Sequence, residues 1–249
     1  MVTVPHIEAC DLTMAYGEFV IQHDLNFVIN KGDIFVIMGG SGCGKTTVMR
    51  ALIGLQRPAK GTVFYDGEDF WGVDLEHQER LKRRLGVMFQ GGALWSSLTL
   101  GENIALPLKE YTALSPRRLA EIVSFKLALV GLAGFEDFYP SELSGGMKKR
   151  AGLARAMALD PDILVIDEPS SGLDPPTARH LDDLILELRD SLETTVVIIS
   201  HDLASILGIG TNSIFLDTET HTMVNTGIPK EAVFSDDPRV RHFLTRGAA

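Results

Sequence analysis

The sequence predicts an α/β protein with a core of buried parallel strands, a small antiparallel sheet beside it and a helical lobe inserted midway. Three observations carry that expectation. Apolar runs at 34–38, 163–166 and 196–199, the last preceded by Thr195, have the composition of strands covered on both faces. A helical pattern over 178–192 joins the last two, as in a strand–helix–strand unit. From about 90 to 158 the pattern changes to helices with caps of their own.

Taken in order, the stretches 7–14, 25–29 and 62–65 alternate or end in turn residues such as Asp66-Gly67, which suits a small antiparallel sheet. The run at 34–38 ends in glycines. After it, Val48, Met49, Leu52 and Ile53 share one helical face until Gly54 supplies an end signal. Thr99-Leu100-Gly101-Glu102 has capping-box spacing. Ser115-Pro116 pairs an N-cap with proline at the first helical position, and Leu119, Ile122, Val123, Leu127 and Val130 recur at helical spacing up to Gly131. Asp237-Pro238 opens a terminal helix with Val240, Phe243 and Leu244 on one side, facing either a partner or the chain's own core. No internal repeat or low-complexity segment is present.

With 249 residues, 45% hydrophobic and 22% charged, the chain has the composition of an ordinary globular protein able to bury a sizeable core. Its net charge of −10 gives no overall basic field to recruit nucleic acid or anionic lipid. Cys10 and Cys43 lie outside any metal-ligand or paired spacing, and the seven histidines are scattered. Two free thiols and a reducing compartment are therefore expected. Residues 1–6 lack the pattern of a signal peptide. The apolar runs are far shorter than the roughly 18 residues a membrane span needs, so another chain would supply any spanning part.

The chemistry concentrates in a few segments. Gly39-Gly40-Ser41-Gly42-Cys43-Gly44-Lys45-Thr46 matches G-x-x-x-x-G-K-[ST], followed by Thr47, between a predicted strand and a predicted helix. Backbone N–H groups of 41–45 form an anion nest there, reinforced by the positive end of the helix. Lys45 would reach the β- and γ-phosphates of a bound nucleotide and Thr46 would ligate Mg²⁺. The second segment is a strand ending in Asp167-Glu168. Neighbouring side chains at a strand end point apart, so Asp167 suits the Mg²⁺ shell and Glu168 a general base for water. A third, Leu143-Ser144-Gly145-Gly146-Met147, places an N-cap serine and two glycines where a phosphate could meet the first turn of a helix running to about 158.

That third segment resembles the signature motif of ATP-binding cassette ATPases, and the other landmarks of the family stand in order. Gln90 resembles the Q-loop glutamine, Ser171-Gly172-Leu173-Asp174 the D-loop, His201 the switch histidine and Tyr16 the aromatic that stacks on adenine. The resemblance runs from about 6 to 230. It implies a RecA-like P-loop core with an antiparallel β subdomain and a helical subdomain, ATP and Mg²⁺ as ligands, and Gln90 beside Thr46 and Asp167 in the metal shell. It further implies a head-to-tail homodimer, in which Ser144, Gly145 and Gly146 complete the partner's ATP site with Asp174 nearby. Met147 stands where the family most often has glutamine. The ATPase domain would span 1–230, with an extension over 231–249.

Phe89-Gln90-Gly91-Gly92-Ala93-Leu94, the continuation Met147-Lys148-Lys149-Arg150 and the segment Asp237-Pro238-Arg239-Val240-Arg241-His242-Phe243-Leu244 resemble ATPase subunits of Mla/Mce-type phospholipid transporters. The branch implies membrane permease subunits, an MCE-domain lipid-binding ring, a small STAS-domain protein and a place on the cytoplasmic face of a bacterial inner membrane. Ser170-Ser171-Gly172-Leu173 departs from the Gln-containing form of that branch, which leaves a sister branch open.

Other readings stand beside these. A polar-solute importer is the alternative within transporters, and a non-transport cassette protein of DNA repair or translation is the alternative outside them. The second has too little room for a coiled-coil insertion between Gln90 and Ser144. Leu94, Trp95 and Leu98 either receive a helix of the permease or pack inside the lobe. Lys148-Lys149-Arg150, with Arg155, is read as a solvated helix face rather than a nucleic-acid patch. Cys43 is read as filling a loop position where only backbone matters, with thiol regulation as the alternative.

Overall fold

A computed structural model of the chain describes residues 4–245; part of the N-terminal segment read for a targeting signal, and the end of the extension, lie outside these residues. The chain opens with β1 (Ile7–Tyr16), β2 (Phe19–Ile29), β3 (Ile34–Gly39), α1 (Lys45–Leu52), β4 (Lys60–Tyr65), β5 (Glu68–Asp69), α2 (Leu75–Lys82) and β6 (Leu85–Met88). The helical lobe holds α3 (Leu100–Tyr111), α4 (Pro116–Leu129) and α5 (Gly145–Ala156). Then follow β7 (Ile163–Asp167), α6 (Pro175–Leu192), β8 (Thr195–Ile199), α7 (Leu203–Ile209), β9 (Asn212–Leu216), β10 (Met223–Gly227), α8 (Pro229–Ala232) and α9 (Pro238–Leu244).

Two sheets result. The first, in the order β2-β1-β4-β5, is antiparallel and bulged where β1 meets β2 and β4. The second, in the order β10-β9-β3-β8-β7-β6, is parallel except for its edge strand β10. Every residue of β3, β7 and β8 is buried, which explains their near-continuous apolar composition, with Asp167 closing β7 and Thr195 opening β8. One face packs with α1 against the antiparallel sheet, and the other packs against the helical lobe and α6.

The predicted caps form. Thr99 and Glu102 exchange capping-box hydrogen bonds, and Ser115 caps α4 ahead of Pro116. Asn103, fully buried, organises the segment before α3. Its amide nitrogen donates to the carbonyls of Trp95, Leu98 and Thr99, and its oxygen accepts from the Trp95 N–H. Of the proposed docking residues, Leu94 packs against the lobe's core whereas Trp95 stays exposed. The terminal helix α9 turns Val240, Phe243 and Leu244 onto Val36, Met38 and Phe215, so its apolar side serves the chain's own core.

The charge run on α5 is not the solvated face expected from its composition. Lys149 is buried, Arg150 donates to the Val130 and Gly131 carbonyls, and Arg155 donates to those of Ala93 and Gly92. Burial lowers the pKa of all three. Side chains long enough to cross from one helix to the next backbone explain the difference, since composition alone does not register reach. Beside them α5 touches the segment after Gln90 through backbone. A Cβ on Gly152 would stand 2.6 Å from the Gly92 Cα, so both positions admit no side chain without a shift.

Candidate nucleotide site

The site forms at the carboxyl ends of the parallel strands, where loops after β3, β7 and β8 converge. Gly39, Gly42 and Gly44 take positive φ values, which lets 39–44 wrap tightly ahead of α1. A Cβ added at Gly40 or Gly42 would meet open space, consistent with a cradle open to a ligand. Lys45 Nζ lies across the loop, donating to the Gly39 and Gly40 carbonyls at 2.9 Å each. With an anion seated in the nest, that ammonium has a stronger partner at hand than two neutral carbonyls.

A cavity of 540 Å³ joins this loop to Thr46, Thr47, Gln90, Asp167, Glu168 and His201. Asp167 is buried, and that burial, reinforced by the adjacent Glu168, raises its pKa against the opposing pull of Lys45 and Arg50. A cation placed by Asp167 and Thr46 would stabilise the carboxylate against that burial, so this donor set fits Mg²⁺. Glu168 sits just beyond β7 with φ of +51°, a left-handed conformation uncommon for a residue with a side chain. Its Oε1 lies 2.7 Å from His201 Nδ1, while Oε2 is buried with no hydrogen-bond partner. A buried carboxylate oxygen left unpartnered is costly, and a bound water would satisfy it.

Gln90 stands at the edge, exposed, with Nε2 3.4 Å from Ser171 Oγ. The remaining candidates lie apart. Tyr16 is exposed at the end of β1, bonded through its hydroxyl to Gln56, and does not line the cavity. Ser144 caps α5 by accepting from the Met147 N–H; it and Gly145 are exposed, and Ser144, Gly145 and Gly146 do not line the cavity. Asp174 caps α6 through Thr177, whose hydroxyl and N–H hold its carboxyl below the usual carboxylate range.

Three residues escaped sequence reasoning. Gln22, fully buried, donates from one amide nitrogen to the Cys43 and Asp217 carbonyls, tying the phosphate loop to the end of β9. Ile21 bounds the cavity and leaves no room for a Cβ on Gly44. Phe243 reaches the cavity from α9. Gln22 lies ahead of the stretch 25–29 read as strand, and the apolar side of α9 was legible, but neither signals a distant loop. Cys43 corrects an expectation, because its side chain is buried in the core rather than idle. Burial raises the thiol's pKa in spite of Lys45.

Comparison with known proteins bears on this geometry. A sequence profile described as ABC transporter matches residues 22–171. The chain is 40% identical over 239 residues to the probable ribonucleotide transport ATP-binding protein mkl of Mycobacterium tuberculosis, covering 96% of itself and 66% of that protein. It is 38% identical over 238 residues to the intermembrane phospholipid transport system ATP-binding protein MlaF of Escherichia coli K12, covering 96% and 88%. Among solved structures it is similar to a dimeric ATP-binding cassette in a post-hydrolysis state bound to ADP and Pi. There the TM-score is 0.80 at 28% identity, covering 89% of this chain and 98% of the other.

Proposed function

The chain belongs to the ABC transporter family, and on that premise we propose that it hydrolyses ATP as a head-to-tail dimer to drive phospholipid movement through a membrane permease. The observation that carries the hydrolytic reading is Glu168, with one carboxylate oxygen against His201 and the other buried, unpartnered and beside the phosphate loop.

In this reading the nest over 41–45 and Lys45 hold the nucleotide's phosphates. Thr46, Asp167 and Gln90 would hold Mg²⁺, which would supply positive charge to neutralise the nucleotide's phosphates. Glu168 Oε2 takes a proton from water as the water oxygen bonds to the γ-phosphorus and the bond to the ADP oxygen breaks. His201 fixes the other oxygen of Glu168 and so the direction of the base. The exposed cap of α5, outside the lining of its own chain's cavity, presents Ser144, Gly145 and Gly146 to the nucleotide of a second copy, and Tyr16 stacks on adenine.

No helix among the described residues is long and apolar enough to cross a membrane, so the permease is a separate partner in this proposal. Its docking surface is the groove between the core and the helical lobe, lined by Arg83, Leu106 and Tyr111, with Trp95 exposed on the same lobe. An MCE-domain ring, a STAS-domain protein and a place on the cytoplasmic face of the inner membrane complete the Mla/Mce-type assembly. Reconstituting the chain with its permease in vesicles tests the reading. ATP-dependent transfer of labelled phospholipid supports it; ATP-dependent uptake of ribonucleotides instead would favour the activity that mkl is named for.

A further inference from the structure

We propose that Lys149 is a positioning residue for Glu168, pinning the helix that opens with Ser144 to the backbone of the base; this rests on the reading of Glu168 given above. Lys149 lies on α5, five residues beyond Ser144, and is 5% exposed. Its ammonium reaches out of the helical lobe and donates to the Glu168 carbonyl oxygen at 2.8 Å. The same oxygen receives a longer bond, 3.4 Å, from the Ser171 N–H.

The placement is costly as a piece of packing. A buried ammonium whose direct partner is a neutral carbonyl gives up most of its hydration, a loss that the negative charge of Glu168 opposes without cancelling, and an apolar side chain of equal length would fill the space without that loss. The benefit lies in the peptide it holds. Glu168 keeps its N–H in the sheet, bonded to Ile199, but its left-handed φ turns the chain out of the ladder after Asp167. The carbonyl then has no strand to pair with. Lys149 adds a shorter, charge-assisted bond to the long one from Ser171 and so stabilises the conformation that aims the carboxylate at His201 and the cavity.

The test compares Lys149→Met and Lys149→Arg with the wild type. Lys149→Met is expected to lower kcat about ten- to a hundredfold, the scale of a small misplacement of a reacting group, with KM for ATP and nucleotide affinity unchanged within about twofold. Its melting temperature should be equal or higher, and Lys149→Arg should restore most of the rate. Added to Glu168→Gln, Lys149→Met should lower the residual turnover no further, since the two act as a unit. An unimpaired rate, a variant that fails to fold, a loss of affinity alongside kcat, failure of Arg to restore the rate, or a multiplicative loss in the double variant overturns the proposal. If wild-type turnover survives Glu168→Gln unaltered, the reading of Glu168 fails instead.

Discussion

His201 Nδ1 and Glu168 Oε1 are 2.7 Å apart, joining the ends of two adjacent parallel strands across the mouth of the phosphate loop. The contact leaves Glu168 Oε2 as the carboxylate oxygen free to take a proton. His201 is itself 64% exposed, so its ring has room to move when a ligand arrives.

Glu168→Gln keeps the side chain's shape but removes the carboxylate proposed as the base. ATP turnover should fall by on the order of 10²–10⁴ while ATP still binds and the dimer stays closed. Single-turnover hydrolysis and size-exclusion chromatography with ATP check both halves. Near-normal turnover would eliminate Glu168 as the base.

Sharing of sites between copies has its own test. Ser144→Arg should leave ATP binding to one subunit intact and block hydrolysis, because the exposed α5 terminus is filled. In mixed dimers, Lys45→Ala on one chain and Ser144→Arg on the other should damage one and the same site and leave the second active. Loss of both sites in that arrangement counts against the head-to-tail geometry.

Gly152→Ala should destabilise the protein by about 1–3 kcal/mol, the range for overpacking a closed contact. The added methyl would meet the Gly92 backbone, its Cα at 2.6 Å and its carbonyl oxygen at 3.0 Å. Chemical denaturation measures the loss. An unchanged midpoint would mean that the two backbones separate without cost.

Asp182 on α6 is buried against Ser205 of α7, with Oδ1 unpartnered, and its pKa is pushed up to about 6. Burial is the main cause; Asp202 and Asp183 add to it and the Ser205 hydroxyl opposes it. The folded chain therefore holds a proton between about pH 4 and 6 that the unfolded chain releases. Stability falls as pH rises through that window, by up to about 3 kcal/mol from this group. Melting temperatures of the wild type and Asp182→Asn across pH 4–7 isolate the effect, since the variant should lack this slope. Parallel curves would contradict it.

Much of this architecture was legible because its signals are local. Strands β3, β7 and β8 announce themselves by composition, and α3, α4 and α9 by caps within four residues of their starts. What the sequence hid depends on distant partners. Strands β9 and β10 are short and carry Asn212, Ser213, Asn225 and Thr226, so they read as loop until β3 pairs with β9. Helix α7 follows a histidine loop with a single turn of apolar signal. Gln22 and Lys149 look like surface residues, and only their reach to Cys43 and Glu168 makes them interior ones. The same limit applies to Cys43, whose burial follows from how the loop folds over β3.

Gly92 and Gly152 meet as two bare backbones with no side chain between them to give way, and Arg155 of the same helix ties the Ala93 and Gly92 carbonyls to it. The stretch after Gln90 and the helix after Ser144 therefore travel as one part, so displacement at either end is transmitted without being absorbed on the way.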